Sequence, residues 1–260
     1  VNAPVYVIVG ATGGIGVALS ERLAERGAGL VLAARRPGPL QALAERTGGI
    51  AHALDARESG AVDGAFELAR ETWGRVDGAV HLVGSILLKP AHLTSPEEWR
   101  DVLATNLDSA FHLVRSAVRA LRAGGGSVVL VSTAAARVGL ANHEAIAAAK
   151  AGVEGLTRSA AATYAARDIR VNCVAPGLVD TSLSERLIDT PEKRASSDEM
   201  HPLGRIGAPL DVASAIDWLL DPESAWVSGQ VIGVDGGLAT LRARPRERRR
   251  AATSAGRSAA

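Results

Sequence analysis

The sequence contains one cysteine, one methionine, two tyrosines and two phenylalanines. A lone thiol, Cys173, cannot close an internal disulfide, so no oxidised framework is expected. No apolar run reaches the length of a membrane span or carries the flanks of a secretory signal. The cytoplasm is therefore the default compartment, and a membrane is not expected as a partner. Lysine is scarce as well, with three against 26 arginines. The arginine surplus is local: residues 241–260 hold seven Arg and one acid, so the whole chain is net +1 while residues 1–240 are net −5. An acidic body offers no broad face to a phosphate backbone, and nucleic acid is not expected as a partner. The basic Arg/Ala/Ser tail reads as a solvated, disordered end.

What is present is a rhythm. Over the first 80 residues short β-branched runs alternate with longer amphipathic stretches: Val5–Val9 then 14–26, Leu30–Ala33 then 39–46, Ile50–Leu54 then 59–73, and Gly78–Val83. A helical tract around 96–122, a strand Ser127–Ser132, a helix around 142–166, a strand Ile169–Val174, a helix 209–220 and a strand Gln230–Val234 follow. Strands that alternate with helices pair in parallel, because parallel strands need crossover connections. The expectation is an α/β fold: one Rossmann-type, doubly wound domain over residues 1–240, with seven parallel strands flanked by helices. Segment 178–208 is the only long stretch that reads as irregular. It leaves the end of the sixth strand, where ligands of such sheets bind, and is expected to act as a substrate lid.

Between the first strand and first helix stands Gly10-Ala11-Thr12-Gly13-Gly14-Ile15-Gly16. Glycines at 10, 14 and 16 permit a tight turn and close backbone approach, and the helix N-terminus behind them favours a pyrophosphate. The second strand ends in Leu32-Ala33-Ala34-Arg35-Arg36, with no carboxylate to hold a ribose 2′-hydroxyl. Two guanidiniums there suit a 2′-phosphate, which predicts NADP(H) ahead of NAD(H). Asp55, followed by Ala56 at the end of the third strand, is positioned to contact the adenine or to cap the next turn. No metal is expected.

The spacing Gly10-x3-Gly14-x-Gly16 resembles the glycine motif of the short-chain dehydrogenase/reductase superfamily, and the likeness extends over nearly all of residues 4–238. Asp55 is similar to that family's acid after the third strand, and Asn106 to its helical asparagine. Pro176-Gly177 with Val179 and Thr181 resembles the segment bordering the nicotinamide. Gly204-Arg205-Ile206-Gly207 and the run Ser228 to Gly237 resemble its C-terminal signatures. The resemblance implies that Lys150 grips the nicotinamide ribose.

Two departures stand beside these matches. After the fourth strand the family shows Asn-Asn-Ala-Gly, whereas this chain reads His81-Leu82-Val83-Gly84, which keeps only the glycine that admits the cofactor. His81 reads as a core residue, and Ser85, Lys89 and His92 lie on a connection expected to rim the site. Second, the family's Tyr-x3-Lys becomes Ile146-x3-Lys150, and an isoleucine has no proton to donate. The family's serine, thirteen residues earlier, maps to Thr133, with Ser132 adjacent; either hydroxyl is a candidate to polarise a carbonyl. Tyr6 and Tyr164 both read as core. His143 shares a helical face with Ile146 and Lys150, and His143-x6-Lys150 resembles the Tyr-x6-Lys spacing of enoyl-acyl carrier protein reductases. His143 is the expected substitute donor, with the alternative that it only begins the helix after an Asn142 cap.

These residues predict an NADP(H)-dependent reductase of a small-molecule carbonyl or conjugated C=C, working as a homo-oligomer, either tetramer or dimer. A protein that binds NADP(H) without redox turnover, as a sensor or regulator, is the alternative.

Overall fold

The computed structural model describes residues 3–242, so the basic tail lies outside the described residues apart from its first two. Seven strands form the frame: β1 (Val5–Val9), β2 (Gly29–Ala34), β3 (Ile50–Ala53), β4 (Gly78–His81), β5 (Gly126–Val131), β6 (Ile169–Pro176) and β7 (Val231–Val234). All pair in parallel in the order β3-β2-β1-β4-β5-β6-β7. The order reverses between β1 and β4, and the crevice outside their carboxyl ends is where such sheets bind ligands.

Among the described residues there are eight α-helices: α1 (Gly14–Glu25), α2 (Pro37–Thr47), α3 (Asp63–Trp73), α4 (Pro96–Leu103), α5 (Ser109–Ala120), α6 (Glu144–Tyr164), α7 (Pro191–Met200) and α8 (Pro209–Leu220). Of these, α1, α2 and α8 pack on one face of the sheet and α3, α5 and α6 on the other. The period-2 geometry of a strand divides the core between them. Val5, Val7 and Val9 of β1 join Phe66 of α3, Leu113 of α5 and Val153 of α6 in one buried cluster. Tyr6 and Ile8 join Leu19 of α1, Leu40 of α2 and Ile216 of α8 in the other. Asp217 of α8 clamps α1, accepting from Arg22 Nε at 2.6 Å and Arg26 Nη1 at 2.5 Å.

Beyond shifts of one or two residues at element ends, four departures from the sequence reading have an identifiable local origin. The third helix begins at Asp63 rather than 59, because Gly60 has φ +91° and breaks any earlier helical turn. The tract 96–122 is interrupted by a π-helical turn, Ala104–Asp108, between α4 and α5. The long helix starts at Glu144: Asn142 is left-handed, with φ +64°, and His143 rather than Asn142 is the N-cap. Segment 178–208 is not irregular throughout, since it contains the short helical turn Glu185–Leu187 and α7, the latter capped by the Thr190 side chain. The sequence of α7, PEKRASSDEM, carries no apolar stripe, so it has no periodicity to read. Among the described residues no helix is long and apolar enough to cross a membrane, and no group of three or more His, Cys, Asp or Glu is arranged to hold a metal.

Gly78 shows how tightly the layers meet. A Cβ there would stand 2.6 Å from the Ser127 carbonyl oxygen on β5, 3.1 Å from Leu220 Cδ2 on α8 and 3.2 Å from the Tyr6 ring. Gly78→Ala is expected to destabilise by about 1–3 kcal/mol, as overpacking does. A urea titration should show a lower midpoint at unchanged slope; an unmoved midpoint would refute the steric argument.

Candidate active site

The β1–α1 turn is built for close approach. Gly10 has φ +91°, and a Cβ on it would lie 2.7 Å from the Leu82 carbonyl carbon, inside the main chain that leaves β4. A Cβ on Gly16 would lie 2.6 Å from the carbonyl oxygens of Gly10 and Ala11. The amides of Gly10 and Ala11 both donate to the Ala33 carbonyl, at 2.8 and 3.1 Å, which fixes the turn to β2. Helix α1 has Gly13 as its N-cap, no side-chain cap and no acid in its first turn. Among the described residues nothing accepts from the amides of Gly14, Ile15 or Gly16. Gly13 is exposed, Thr12 and Ile15 are half-buried, and Thr181 closes over Gly14, where an added Cβ would meet its Cγ2 at 2.7 Å. This cradle of unspent donors at a positive helix end fits the pyrophosphate of a dinucleotide.

Arg35 and Arg36 are exposed at the end of β2, and no hydrogen bond or ion pair among the described residues engages either guanidinium. Asp55 is less free than the sequence suggested. Arg57 grips its carboxylate through Nε and Nη2, at 3.0 and 2.7 Å to Oδ2, and the Arg57 amide donates to Oδ1 at 3.0 Å. The Arg57 guanidinium holds the Asp55 carboxyl below its usual range, against the opposing effect of burial. Asp55 thus caps the following turn, the alternative sequence reading. Ala56 buries its methyl, and its carbonyl meets His112 Nδ1 at 3.0 Å.

At the other end of the crevice Lys150 is buried, and its Nζ donates to the Val131 carbonyl at 2.9 Å. Burial lowers its pKa to about 8, since a desolvated ammonium is disfavoured. Gly84 lies against both Lys150 and Asn106: a Cβ there would crowd Asn106 Oδ1 at 3.1 Å and come into ordinary contact with Lys150 Nζ at 3.6 Å. Asn106 is fully buried in the π-helical turn and donates from Nδ2 to Ser85 Oγ and to the Val102 carbonyl, both at 2.9 Å. Both of its amide protons are spent.

The two candidate hydroxyls separate. Ser132 is turned into α6, where its Oγ lies 3.0 Å from Glu154 Oε1 and 3.2 Å from the Lys150 carbonyl, so its proton is committed and it drops out as a substrate ligand. Thr133 accepts from the Ala135 amide at 3.3 Å and keeps its own proton unassigned. His143, Ile146 and Lys150 all line one cavity of about 390 Å³, with Thr133, Ser85, Pro176, Gly177, Val179 and Thr181. His143 Nδ1 lies 2.8 Å from the Ala141 carbonyl, which can only accept; the proton therefore sits on Nδ1 and Nε2 is left free. Lys89 instead pairs with Glu98 at 2.7 Å, and His92 is exposed; neither lines the cavity.

Outside the cavity lining, His81 is a core residue, as expected, but a half-satisfied one. Its Nε2 meets Ser109 Oγ at 2.8 Å, Ser109 Oγ donates to the Thr105 carbonyl, and Nδ1 is buried without a partner. Burial, with Lys150 adding to it, lowers its pKa to about 3, so the ring stays neutral. Tyr6 is buried in β1 with its pKa raised to about 12 by burial and by Asp77, and Tyr164 lies at the far end of α6. The segment 178–208 roofs the cavity with Leu183, Leu187 and Met200. His201, a residue the sequence reading passed over, pins that segment: its Nδ1 faces the Ser197 carbonyl at 2.7 Å and its Nε2 accepts from the Leu178 amide at 3.1 Å.

A family model described as enoyl-(acyl carrier protein) reductase matches residues 10–239. The 3-oxoacyl-(acyl-carrier-protein) reductase FabG of Vibrio cholerae is 34% identical over 237 residues, covering 90% of this chain and 96% of that protein. Among solved structures, a short-chain type dehydrogenase/reductase from Mycobacterium ulcerans superposes with a TM-score of 0.87 at 29% identity, covering 92% of this chain and 91% of that one. A variant of actinorhodin polyketide ketoreductase, solved with NADPH, gives 0.86 at 26% identity over 92% and 98%.

The buried ammonium has a measurable signature. With the folded pKa of Lys150 at about 8 against 10.5 as the ordinary value, the unfolded chain binds more protons between those pH values. Stability contributed by this group therefore rises as pH climbs from 8 to 10.5, and its burial cost is constant below 8. Melting curves of the wild type and Lys150→Met should differ by a fixed amount below pH 8 and then shift in favour of the wild type, by at most about 1.4 kcal/mol per pH unit. A difference that stays constant across pH 7–11 would contradict the assignment.

Proposed function

Because this chain belongs to the short-chain dehydrogenase/reductase superfamily and is an NAD(P)-dependent oxidoreductase of that type, we propose that it is an NADP(H)-dependent reductase of an uncharged, apolar small molecule, with a proton donor other than tyrosine. The observation that carries this reading is the convergence of Lys150 Nζ, Gly84 and the free Thr133 hydroxyl at the crevice reached from the β1–α1 turn. Gly10, Thr12, Gly13, Gly14, Ile15 and Gly16 would hold the pyrophosphate, Arg35 and Arg36 the 2′-phosphate, and Gly84, Pro176, Gly177, Val179 and Thr181 the nicotinamide end. Asp55 and Ala56 would border the adenine through their backbone. Bound NADPH supplies the hydride.

The chain's own residues supply the rest. Lys150 positions the ribose, Thr133 donates to the substrate oxygen, and His143, once Nε2 has taken a proton from solvent to form the imidazolium, delivers that proton and returns to the neutral Nδ1–H form. Ile146, 5% exposed on the same helical face, contributes only surface. The walls are apolar: Ile86, Leu88, Leu140, Leu183, Leu187 and Met200 surround the space, and Lys150 is the only Lys, Arg, Asp or Glu among the lining residues. An ionised substrate would lose its hydration there without gaining a partner, which supports a neutral ketone or enone. Residues 1–240 would act as one unit with 178–208 as its lid. Assembly as a dimer or tetramer is supported by Phe111, half exposed on α5.

Two experiments test this reading. Isothermal titration should give tighter binding of NADPH than NADH; changing Arg35 and Arg36 together to Ala should weaken NADPH binding roughly 10-fold or more and leave NADH unchanged, as expected for lost charge-assisted bonds. Equal affinity in the unmodified protein would remove the cofactor assignment. His143→Ala should lower kcat for 2-cyclohexenone or 2-octanone about 10²-fold with NADPH affinity retained. Full turnover in that variant would rule out the imidazole, whereas failure of the wild type to oxidise NADPH with any ketone or enone would favour a non-redox binder.

A further inference from the structure

Asn106 can be oriented without ambiguity. The Ser85 amide can only donate, and it meets Oδ1 at 3.1 Å; the Val102 carbonyl can only accept, and it meets Nδ2 at 2.9 Å. The side-chain amide therefore cannot be flipped. Its second Nδ2 proton then points at Ser85 Oγ, at 2.9 Å, so the serine oxygen is an acceptor in that contact. The Ser85 hydroxyl proton is left over, and no acceptor for it exists among the described residues. Ser85 lines the cavity, directly after Gly84, which lies against Asn106 and Lys150.

Thr133 repeats the arrangement on the neighbouring strand. Its Oγ1 accepts from a backbone amide and its proton is also unspent. β4 and β5 are adjacent and parallel, so Ser85 and Thr133 leave the same edge of the sheet. Lys150 Nζ lies between their strand ends, bonded to Val131 and 3.6 Å from where a Gly84 Cβ would stand. Of the other polar side chains in the lining, Ser132 is committed to α6, Ser184 to the Val179 carbonyl and both ring nitrogens of His201 to backbone, whereas His143 keeps Nε2 free.

We infer that Ser85 is a second hydroxyl donor to the substrate's reacting oxygen, paired with Thr133 and aimed by Asn106 as a positioning residue. This rests on the reductase reading above and adds a residue to it. Two preorganised O–H donors stabilise the charge that develops on a carbonyl or enolate oxygen, and they move no proton of their own. Ser85 is therefore an electrostatic residue, and its loss should leave the acid limb of the pH profile in place.

The test uses the full chain with NADPH and 2-cyclohexenone or 2-octanone. Ser85→Ala should lower kcat about 10²-fold, leave the KM for NADPH unchanged and keep the pH dependence of kcat. Ser85→Thr or Ser85→Cys, which keep a donor, should recover part of the loss. A kcat within twofold of wild type in Ser85→Ala, or a loss that neither conservative variant relieves, would overturn the inference. If the wild type turns over neither compound, the reductase reading fails separately, and the inference is judged on the crystal structure of the NADPH complex soaked with 2-cyclohexenone. A Ser85 Oγ about 3 Å from the ketone oxygen supports it, and any pose without that contact overturns it.

Discussion

The hydrogen bond from Lys150 Nζ to the Val131 carbonyl is the interaction on which the rest of the site depends. An ammonium buried to this degree costs folding free energy, which the lowered pKa expresses, and it persists only because its surroundings offset that cost. The offset comes from α6, which buries Ala145, Ile146, Ala149 and Val153 on the face that carries the lysine inward. Alanines on that face let the helix lie close enough for the ammonium to reach a strand-end carbonyl. Gly84, just past the end of β4, keeps the neighbouring Asn106 amide uncrowded, since a Cβ there would stand 3.1 Å from its Oδ1. The position of the charge is thus set jointly by two parallel strand ends and one helix, none of which could shift alone.

Most of the frame was legible because its signals are periodic. Val5–Val9 and the helix Pro209–Leu220 coincide with the runs read from sequence, and the other strands differ by one or two residues at an end. The misses share a cause: they depend on a single residue or on partners distant in sequence. Nothing in Thr105-Asn106-Leu107 announces a π-helical turn, yet that turn rotates Asn106 onto Ser85, twenty-one residues away. Two adjacent hydroxyls, Ser132 and Thr133, look equivalent on paper, and successive residues at a strand end point to opposite sides; only Glu154 on α6 reveals which one is spent. Asp55 stood open between an adenine contact and a turn cap, because nothing in the sequence shows that Arg57 folds back onto its carboxylate. The close backbone approach at Gly10 and Gly16 and the exposure of Arg35 and Arg36 were legible, because the first needs only a missing side chain and the second only a missing carboxylate neighbour.

The two ends of the crevice are electrostatic opposites. The nucleotide end presents exposed guanidiniums and unspent helix amides, a surface where a polyanion gains partners as it loses water. The substrate end has apolar walls, and its only ammonium is tied to a carbonyl. A ligand with charge at one end and none at the other can bind in one direction only. The fold supplies this polarity through chain order: the first βαβ unit forms the charged end, and the later strand ends with α6 and α7 form the apolar one.

The separation of the free polar groups bears on which bond is reduced. In a carbonyl reduction the hydride goes to carbon and the proton to the oxygen already held by hydrogen bonds, so donor and hydroxyls should crowd one point. In the reduction of a conjugated alkene the oxygen carries enolate charge while the proton goes to carbon, so the two functions act on different atoms. Here Ser85 and Thr133 line the cavity with Lys150, whereas His143, the N-cap of α6, stands seven residues before the lysine, about 10 Å along the axis, with Ile146 between them. Its Nδ1 is tethered to the Ala141 carbonyl, so the ring cannot swing towards the hydroxyls without breaking that bond. Under the proposed assignment of His143 as donor, Ile146 stands between the group that would protonate and the hydroxyls that would hold the oxygen. On that proposal the site suits C=C reduction better than C=O reduction, since only the alkene requires hydrogen bonding and protonation at separate atoms.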